Sequence, residues 1–272
     1  MAKITKKLLE IKKYRETRNP YNENDFMLAI TSNLLNNLGD RNNFIHKELD
    51  YYKENNKKLD TNLKIATGLY VCSLITCWET FFRDLFILLC DADPIIKAEL
   101  NNKQEEAIPI ELTIGEFTAR KYNFQNLAQT KDAFDFILHR ESQTITDYFT
   151  ADVFNGIIHK DYSLIFKWIH DGSFKEKVDF VLEKGFEIRH KVTHDANYLI
   201  DFDSKLLSEI ECVFQIIPQF FIASFAEKYS QKRLVFNLKK RYIRITDTPT
   251  EDEKNYAFNV KDFMADDYEI VE

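Results

Sequence analysis

Residues 59–90 read LDTNLKIATGLYVCSLITCWETFFRDLFILLC, and this stretch decides the fold of the chain. Apolar side chains recur along it at helical spacing, at Leu63, Ala66, Tyr70, Leu74, Trp78, Phe81 and Leu85. Residues 69–89 are the most apolar part of the chain, yet Glu79, Arg83 and Asp84 lie among them. Because charges inside a membrane span are costly, the pattern predicts a buried core helix and no membrane span.

The neighbouring segments show helical patterns or helix-ending residues. We expect helices over residues 25–57, 114–119, 127–138, 151–159, 174–192 and 204–229, and a short basic helix over residues 4–17. Gly39 predicts an interruption in the first of these, and Pro218 predicts a kink in the last. Ser173, followed by Glu176, predicts a capping box. Beyond residue 231, apolar residues alternate, which predicts a strand or hairpin.

The chain is therefore expected to be all-α, with an up-and-down helical bundle centred on residues 59–90, on residues 174–192 and on the helix that follows them. We divide it into an N-terminal helical extension (1–57), a helical domain (58–230), and a basic strand or hairpin with an acidic tail (231–272). Only six glycines and five prolines occur in 272 residues, which argues against a turn-rich sandwich or barrel.

Four cysteines occur, at Cys72, Cys77, Cys90 and Cys212, and none forms a CxxC pair. All lie in apolar runs, so we predict buried, reduced thiols in a cytoplasmic protein. The basic N-terminus is not followed by the apolar segment that a signal peptide requires, which favours the same location.

The net charge of −7 resides entirely in residues 247–272, while the first 246 residues are balanced. Just before that acidic tail, six basic residues interleave with aromatic rings: Lys232, Arg233, Lys239, Lys240, Arg241 and Arg244. Such a segment suits RNA, because basic charge attracts phosphate and rings can stack on unpaired bases. An edge strand protected by lysines is the competing interpretation. The tail itself contains enough apolar residues to predict that it docks either on its own body, where it could cover the basic segment, or on a partner.

The stretch FEIRHKVTHD, residues 186–195, carries the candidate chemistry. Arginine binds phosphate through a planar, permanently charged fork, and histidine exchanges a proton near neutral pH. Arg189 and His194 lie five residues apart, so at about 100° per residue they are roughly 140° apart around a straight helix. Either the helix bends or two copies pool their residues. His190 and His194 share a face because they are four residues apart.

Residues 189–194 resemble the Arg-x4–6-His motif of the HEPN superfamily, with a spacer of four and a histidine after the arginine. The run LITCWETFFRDL, residues 74–85, is similar to the WExFxRDL-type helix of the RiboL-PSP-like branch of that superfamily. Residues 113–117, TIGEF, resemble a segment that recurs in the same branch. The resemblance covers roughly residues 59–229.

The resemblance implies an all-α bundle that dimerises along the motif helix and a metal-independent endoribonuclease without a cofactor, serving as a toxin or in defence against phage. Carried over, it implies that Arg189 binds the scissile phosphate, that His194 is the general base or acid, and that His190 supports the site. RNA, a second copy of the chain and a cognate inhibitor or defence partner are the expected partners. From the helical pattern we add that Glu79 pairs with Arg189 and holds its guanidinium in place.

Two other interpretations stay open from the sequence. The first is a non-catalytic dimer that keeps the motif and binds RNA, a nucleotide or a partner protein. His190 and His194 also have the spacing of two zinc ligands, with Asp195 as a third. Lys191 stands where a metalloprotease motif needs glutamate, and a lysine disfavours a cation, so we expect no metal.

Overall fold

The computed structural model describes residue 13 and residues 25–55, 61–104, 106–149, 163–201, 203–230, 232–237, 239–240, 242–255 and 269–270. Its helices are α1 (Phe26–Glu54), α2 (Thr61–Ala92), α3 (Pro94–Asn102), α4 (Ile114–Ala119), α5 (Leu127–Leu138), a 3-10 helix (Ile145–Tyr148), α6 (Ser163–His170), α7 (Phe174–His194) and α8 (Ser204–Tyr229). The predicted all-α fold is confirmed. The helices expected over residues 4–17 and 151–159 lie outside the described residues, apart from residue 13.

Helices α4, α5 and α8 have the predicted bounds, and α1 continues through Gly39 without the expected interruption. Helix α3 was not predicted, because Asp93-Pro94 looked like the end of α2. Proline is also favoured in the first turn of a helix, because the N–H that it lacks would have no partner within the helix there. Here the Asp93 carboxylate accepts from the backbone N–H groups of Ile95 and Ile96, so it caps α3.

The capping box predicted at Ser173 and Glu176 is wrong. Ser173 makes no side-chain cap bond, and its hydroxyl donates instead to Asp171, a nearby acceptor that competes for it. A capping box does form at the start of α4. There the Glu116 N–H donates to the Thr113 hydroxyl at 3.1 Å, and the Thr113 N–H donates to the Glu116 carboxylate at 3.0 Å.

Helix α2 is the centre of the bundle and packs against α1, α7 and α8. Its ring-bearing face is fully buried, with Trp78 stacked obliquely on Phe82 and meeting the edge of Phe214 from α8. The predicted centre is therefore confirmed. Helix α1 contributes Met27, Leu34, Ile45 and other residues to the same core, so the described part of the N-terminal extension is packed into the bundle.

By length and composition, α2 and residues Ser204–Ala226 of α8 are apolar enough to cross a membrane. More than half of each apolar window is buried inside the bundle, which is how a core helix of a soluble protein looks. This burial fits the prediction of a core helix, while the cytoplasmic location stays a prediction.

The C-terminal part forms a small sheet in the order β3-β1-β2-β4. Strands β1 (Arg233–Asn237) and β2 (Tyr242–Thr246) make the predicted hairpin. Strand β3 (Lys254–Asn255) adds to β1 and strand β4 (Glu269–Ile270) adds to β2, so two short pieces of the acidic tail pair with the hairpin. At these residues the tail docks on its own body; a role as a cover against RNA stays a prediction.

No disulfide links the four cysteines, all of which lie in the described part of the chain. Cys77 and Cys90 are buried as predicted, whereas Cys72 and Cys212 are only partly buried, so that part of the prediction is wrong. Cys72 lies on a face of α2 that also carries the exposed Leu69 and Thr76. An apolar run in the sequence did not separate this face from the buried one, because apolar residues such as Leu69 lie on both faces of α2.

Candidate functional site

Helix α7 carries the candidate motif, and its buried face fixes how the motif side chains point. Val178, Leu182, Gly185 and Ile188 are buried in the bundle. Arg189 lies at the edge of this face, next to α2, whereas His190 and His194 are exposed. The helix runs without a break to His194, so Arg189 and His194 keep the wide angular separation expected from their spacing.

Arg189 reaches Glu79 on α2, with 3.6 Å between Nη2 and Oε2. The predicted proximity of these residues is confirmed. Both side chains are mostly shielded, at 17% and 18% exposure. Gln125 donates to the other Glu79 oxygen at 2.9 Å, so the carboxylate is held from two sides.

The Arg189 guanidinium is not saturated by this pair. Its Nη1 atom is buried and has no hydrogen-bond partner among the described residues. A donor without a partner keeps the capacity to bind an additional acceptor, such as a phosphate oxygen. Nearby, burial raises the pKa of the Cys72 thiol, while the positive charge of Arg189 partly offsets this shift.

The rings of His190 and His194 lie 4.8 Å apart at an angle of 47°. The prediction that they share one face is confirmed. Lys191, between them in sequence, points elsewhere and pairs with Glu187 at 2.6 Å. Glu187 also binds Lys184, and hydrogen bonds from these two ammonium groups lower the pKa of the Glu187 carboxyl to about 2. Both lysines therefore share one carboxylate, which offsets only one of their two positive charges.

A groove of about 530 Å³ runs alongside α7, between the first turn of α5 and the 3-10 helix, and His190 lies at its edge. The groove-lining residues of α7 recur at helical spacing, as Asp179, Glu183, Phe186 and His190. Gln125, the partner of Glu79, also lines it. Sequence reasoning missed this groove, although the spacing of these four residues offered a signal.

Asp179 is the unusual group of the groove. Burial raises the pKa of its carboxyl to about 6, against weaker opposing effects of the Thr144 and Thr146 hydroxyls and of Lys175. The Thr146 hydroxyl lies 3.4 Å from each carboxylate oxygen, at the outer limit of a hydrogen bond. Among the described residues, no cation lies within ion-pair distance of Asp179. Lys175 pairs with Asp147 instead, and Lys131 pairs with Asp132 and Asp135.

The basic segment lies in the C-terminal sheet, away from the α7 motif in sequence. Lys232, Lys239 and Lys240 are exposed, and Lys239 pairs with Asp252 at 3.1 Å. Arg233 lies on β1 and Arg244 on β2, opposite Val235, while Arg241 lies outside the described residues. The exposed lysines suit contact with RNA and equally suit protection of a sheet edge, so both interpretations stay open.

Within the part of the chain that the structure describes, no group of three or more His, Cys, Asp or Glu side chains is arranged to hold a metal ion. His190, His194 and Asp195 therefore do not assemble into the zinc site that their spacing allows. Comparison of the chain with family models, curated proteins and solved structures found no match.

Proposed function

We propose that this protein is a metal-independent endoribonuclease that cleaves single-stranded or loop RNA by attack of a 2′-hydroxyl on the adjacent phosphate. The observation that carries this proposal is that one helix, α7, presents both an incompletely satisfied guanidinium, Arg189, and two exposed imidazoles one helical turn apart, His190 and His194. The products would be a 2′,3′-cyclic phosphate and a 5′-hydroxyl.

Arg189 would bind the scissile phosphate and stabilise the negative charge that develops on its oxygens. Glu79 is the positioning residue of this arginine, since it orients the fork while leaving donor capacity for phosphate. His194 would take the proton from the 2′-hydroxyl or give one to the leaving 5′-oxygen. His190 would contact phosphate or orient His194.

The proposed enzyme acts as a homodimer. On one continuous helix Arg189 and His194 point in directions roughly 140° apart, so one α7 cannot easily present both to one phosphate. Two copies that meet along this region would place Arg189 of one subunit opposite His194 of the other.

An exposed stripe of α2 supports dimerisation beside the motif. Ile65 and Leu69 are 46% and 58% exposed. Together with Phe44 from α1, which is 57% exposed, they line a second groove, separate from the groove beside α7. Along the same face of α2 this stripe continues through Cys72 and Thr76 to Glu79, the partner of Arg189. Exposed apolar patches of this kind mark interaction surfaces, and a second copy would complete the site.

The test compares the wild type with Arg189→Ala and His194→Ala, incubated with total RNA in the presence of EDTA. His170→Ala, an exposed histidine at the end of α6, is the matched control. We expect cleavage by the wild type and the control, and its loss in the other two variants. Cleavage that survives in both motif variants, or that EDTA abolishes, would overturn the proposal.

We extend the proposal to a toxin or antiphage defence role, with an inhibitor or partner that restrains the enzyme; this extension rests only on the resemblance to the HEPN superfamily. Expression in bacteria should then be toxic, and Arg189→Ala should relieve the toxicity. Harmless expression of an RNA-cleaving wild-type protein would argue against this role.

The second candidate is a non-catalytic dimer that binds RNA, a nucleotide or a partner protein. It is favoured by the groove beside α7, which can accommodate a ligand without any chemistry. Retained RNA or nucleotide binding, with no cleavage by the purified wild type, would select this candidate.

A further inference from the structure

The groove beside α7 is built like a binding site for a small planar ligand. Its volume of about 530 Å³ is in the range of small-molecule sites. It combines a partly exposed ring, Phe186, with the amide side chains of Gln125 and Gln143 and the carboxylate of Asp179. An aromatic ring beside convergent polar groups is the arrangement by which proteins hold unstacked nucleobases.

The groove is joined to the motif. His190 forms part of its lining, and Gln125 links it to Glu79 and so to Arg189. Asp179 lies ten residues before Arg189 on α7, about 15 Å along the helix, so an RNA strand bound at Arg189 could extend along α7 into the groove. The groove is lined by charges of both signs, Lys131 against Glu183 and Asp179, so its charge does not single out phosphate, while its ring and amide side chains suit a base.

Asp179 identifies which base fits. Its oxygens have long contacts to hydroxyls and no cation partner among the described residues, so their acceptor capacity is largely unused. Burial without a compensating charge is costly for a carboxylate, and its pKa is raised accordingly, as occurs at functional sites. Two N–H donors side by side on a ligand would satisfy both oxygens at once.

Guanine is the base that presents such a pair, through N1–H and the exocyclic amino group on its Watson–Crick edge. Adenine and cytosine each offer one amino group beside a ring acceptor, and uracil offers one N–H between two carbonyls. A bidentate contact to a carboxylate therefore selects guanine, as fork-shaped donors do elsewhere. Gln143 can donate to the remaining O6 acceptor from the other wall of the groove.

We propose that this groove binds a guanine base of the RNA strand that the enzyme cleaves, with Asp179 as the residue that determines base specificity. The proposal rests on the proposed RNA cleavage for its place in a reaction, although the binding itself can be tested without catalysis.

The experiment titrates the wild-type protein calorimetrically with guanosine, inosine, adenosine, cytidine and uridine 3′-monophosphates. Guanosine monophosphate should bind about tenfold more tightly than the others, including inosine monophosphate, which lacks the exocyclic amino group. Asp179→Asn should remove this preference. Glu176→Gln, an exposed acid of α7 outside the groove, is the matched control and should leave it intact. Thermal melts confirm that both variants fold.

Equal affinity for all five nucleotides, no binding at millimolar concentration, or an unchanged preference in Asp179→Asn would overturn the proposal. The two proposals fail separately. Selective binding of guanosine monophosphate by a protein that cleaves no RNA would contradict the proposed ribonuclease activity and support the proposed guanine site. Cleavage without preference for guanine would contradict the proposed guanine site and support the proposed ribonuclease activity.

Discussion

Gly185 of α7 and Phe214 of α8 touch so closely that a Cβ atom on the glycine would lie 2.6 Å from the Phe214 ring. This contact lets the two helices approach where α7 lies over the core, one helical turn before Arg189. The absence of a side chain at Gly185 therefore sets the depth at which the candidate motif sits.

Gly185→Ala should lower the free energy of unfolding by about 1–3 kcal/mol, because overpacking outweighs the gain in helix propensity. Gly39→Ala is the matched control. Gly39 also lies inside a helix, but a Cβ there would meet nothing within 4 Å, so stability should rise by about 0.5–1 kcal/mol. Urea denaturation measures both values, and the same sign for both variants would contradict this packing account.

Glu79→Gln tests whether the ion pair positions Arg189. It removes the charge and keeps the shape, so kcat for RNA cleavage should fall on the order of tenfold, with little change in KM. Glu187→Gln is the control, since Glu187 pairs only with exposed lysines on the same helix. If Glu79→Gln lowers stability and leaves cleavage untouched, the pair is purely structural.

The dimer is tested by Ile65→Lys and Leu69→Lys. Both side chains are about half exposed in the single chain, so the variants should fold normally, while two buried charges at a subunit interface should convert a dimer to a monomer. Light scattering after gel filtration measures the change, and cleavage should be lost with it. Ile110→Lys, at a residue that is 91% exposed, serves as control. A wild-type monomer at micromolar concentration would refute the shared site.

Asp93 ties the start of α3 to the end of α8. Hydrogen bonds from Lys228 and Tyr229 hold the pKa of this carboxyl well below its usual range. A lowered pKa in the folded state adds stability above the unfolded pKa of about 3.9 that is lost as the pH falls below it. Asp93→Ala should therefore lower the free energy of unfolding by about 2 kcal/mol at pH 7. The difference in this free energy between the variant and the wild type should shrink below pH 4.

The control for that experiment is Asp203→Ala. Asp203 caps α8 through the backbone N–H groups of Lys205 and Leu206, but it forms no ion pair with another described residue. Asp203→Ala should lower the free energy of unfolding by about 1 kcal/mol. A difference between Asp93→Ala and the wild type that stays constant from pH 7 to pH 3 would show that the ion pair contributes nothing.

The sequence could predict features that depend on neighbours along the chain. Helical spacing gave the bounds of α4, α5 and α8, the central place of α2, and the shared face of His190 and His194. Local reasoning failed where two signals compete over a few residues. Asp93-Pro94 can end one helix or begin the next, and Ser173 found a better acceptor in Asp171 than in its own helix.

The contact between Glu79 and Arg189 could also be expected, because both residues face each other on long helices that had to pack. The groove as a whole could not be expected, because helical spacing marks only the wall that α7 contributes. Its walls come from α5, the 3-10 helix and α7, which meet only after the intervening loops have closed. That closure buries Asp179 beside threonine hydroxyls rather than a cation, and thereby raises the pKa of its carboxyl.

The periodicity of apolar residues thus determined by itself most of the helical segments, with α3 as the exception, since helix geometry repeats every 3.6 residues. Only the tertiary structure decided which polar groups the packed helices bring together and how far each group is exposed to solvent. Hydrogen bonding and charge depend on distances through space between residues far apart in the chain, and no local pattern encodes those distances.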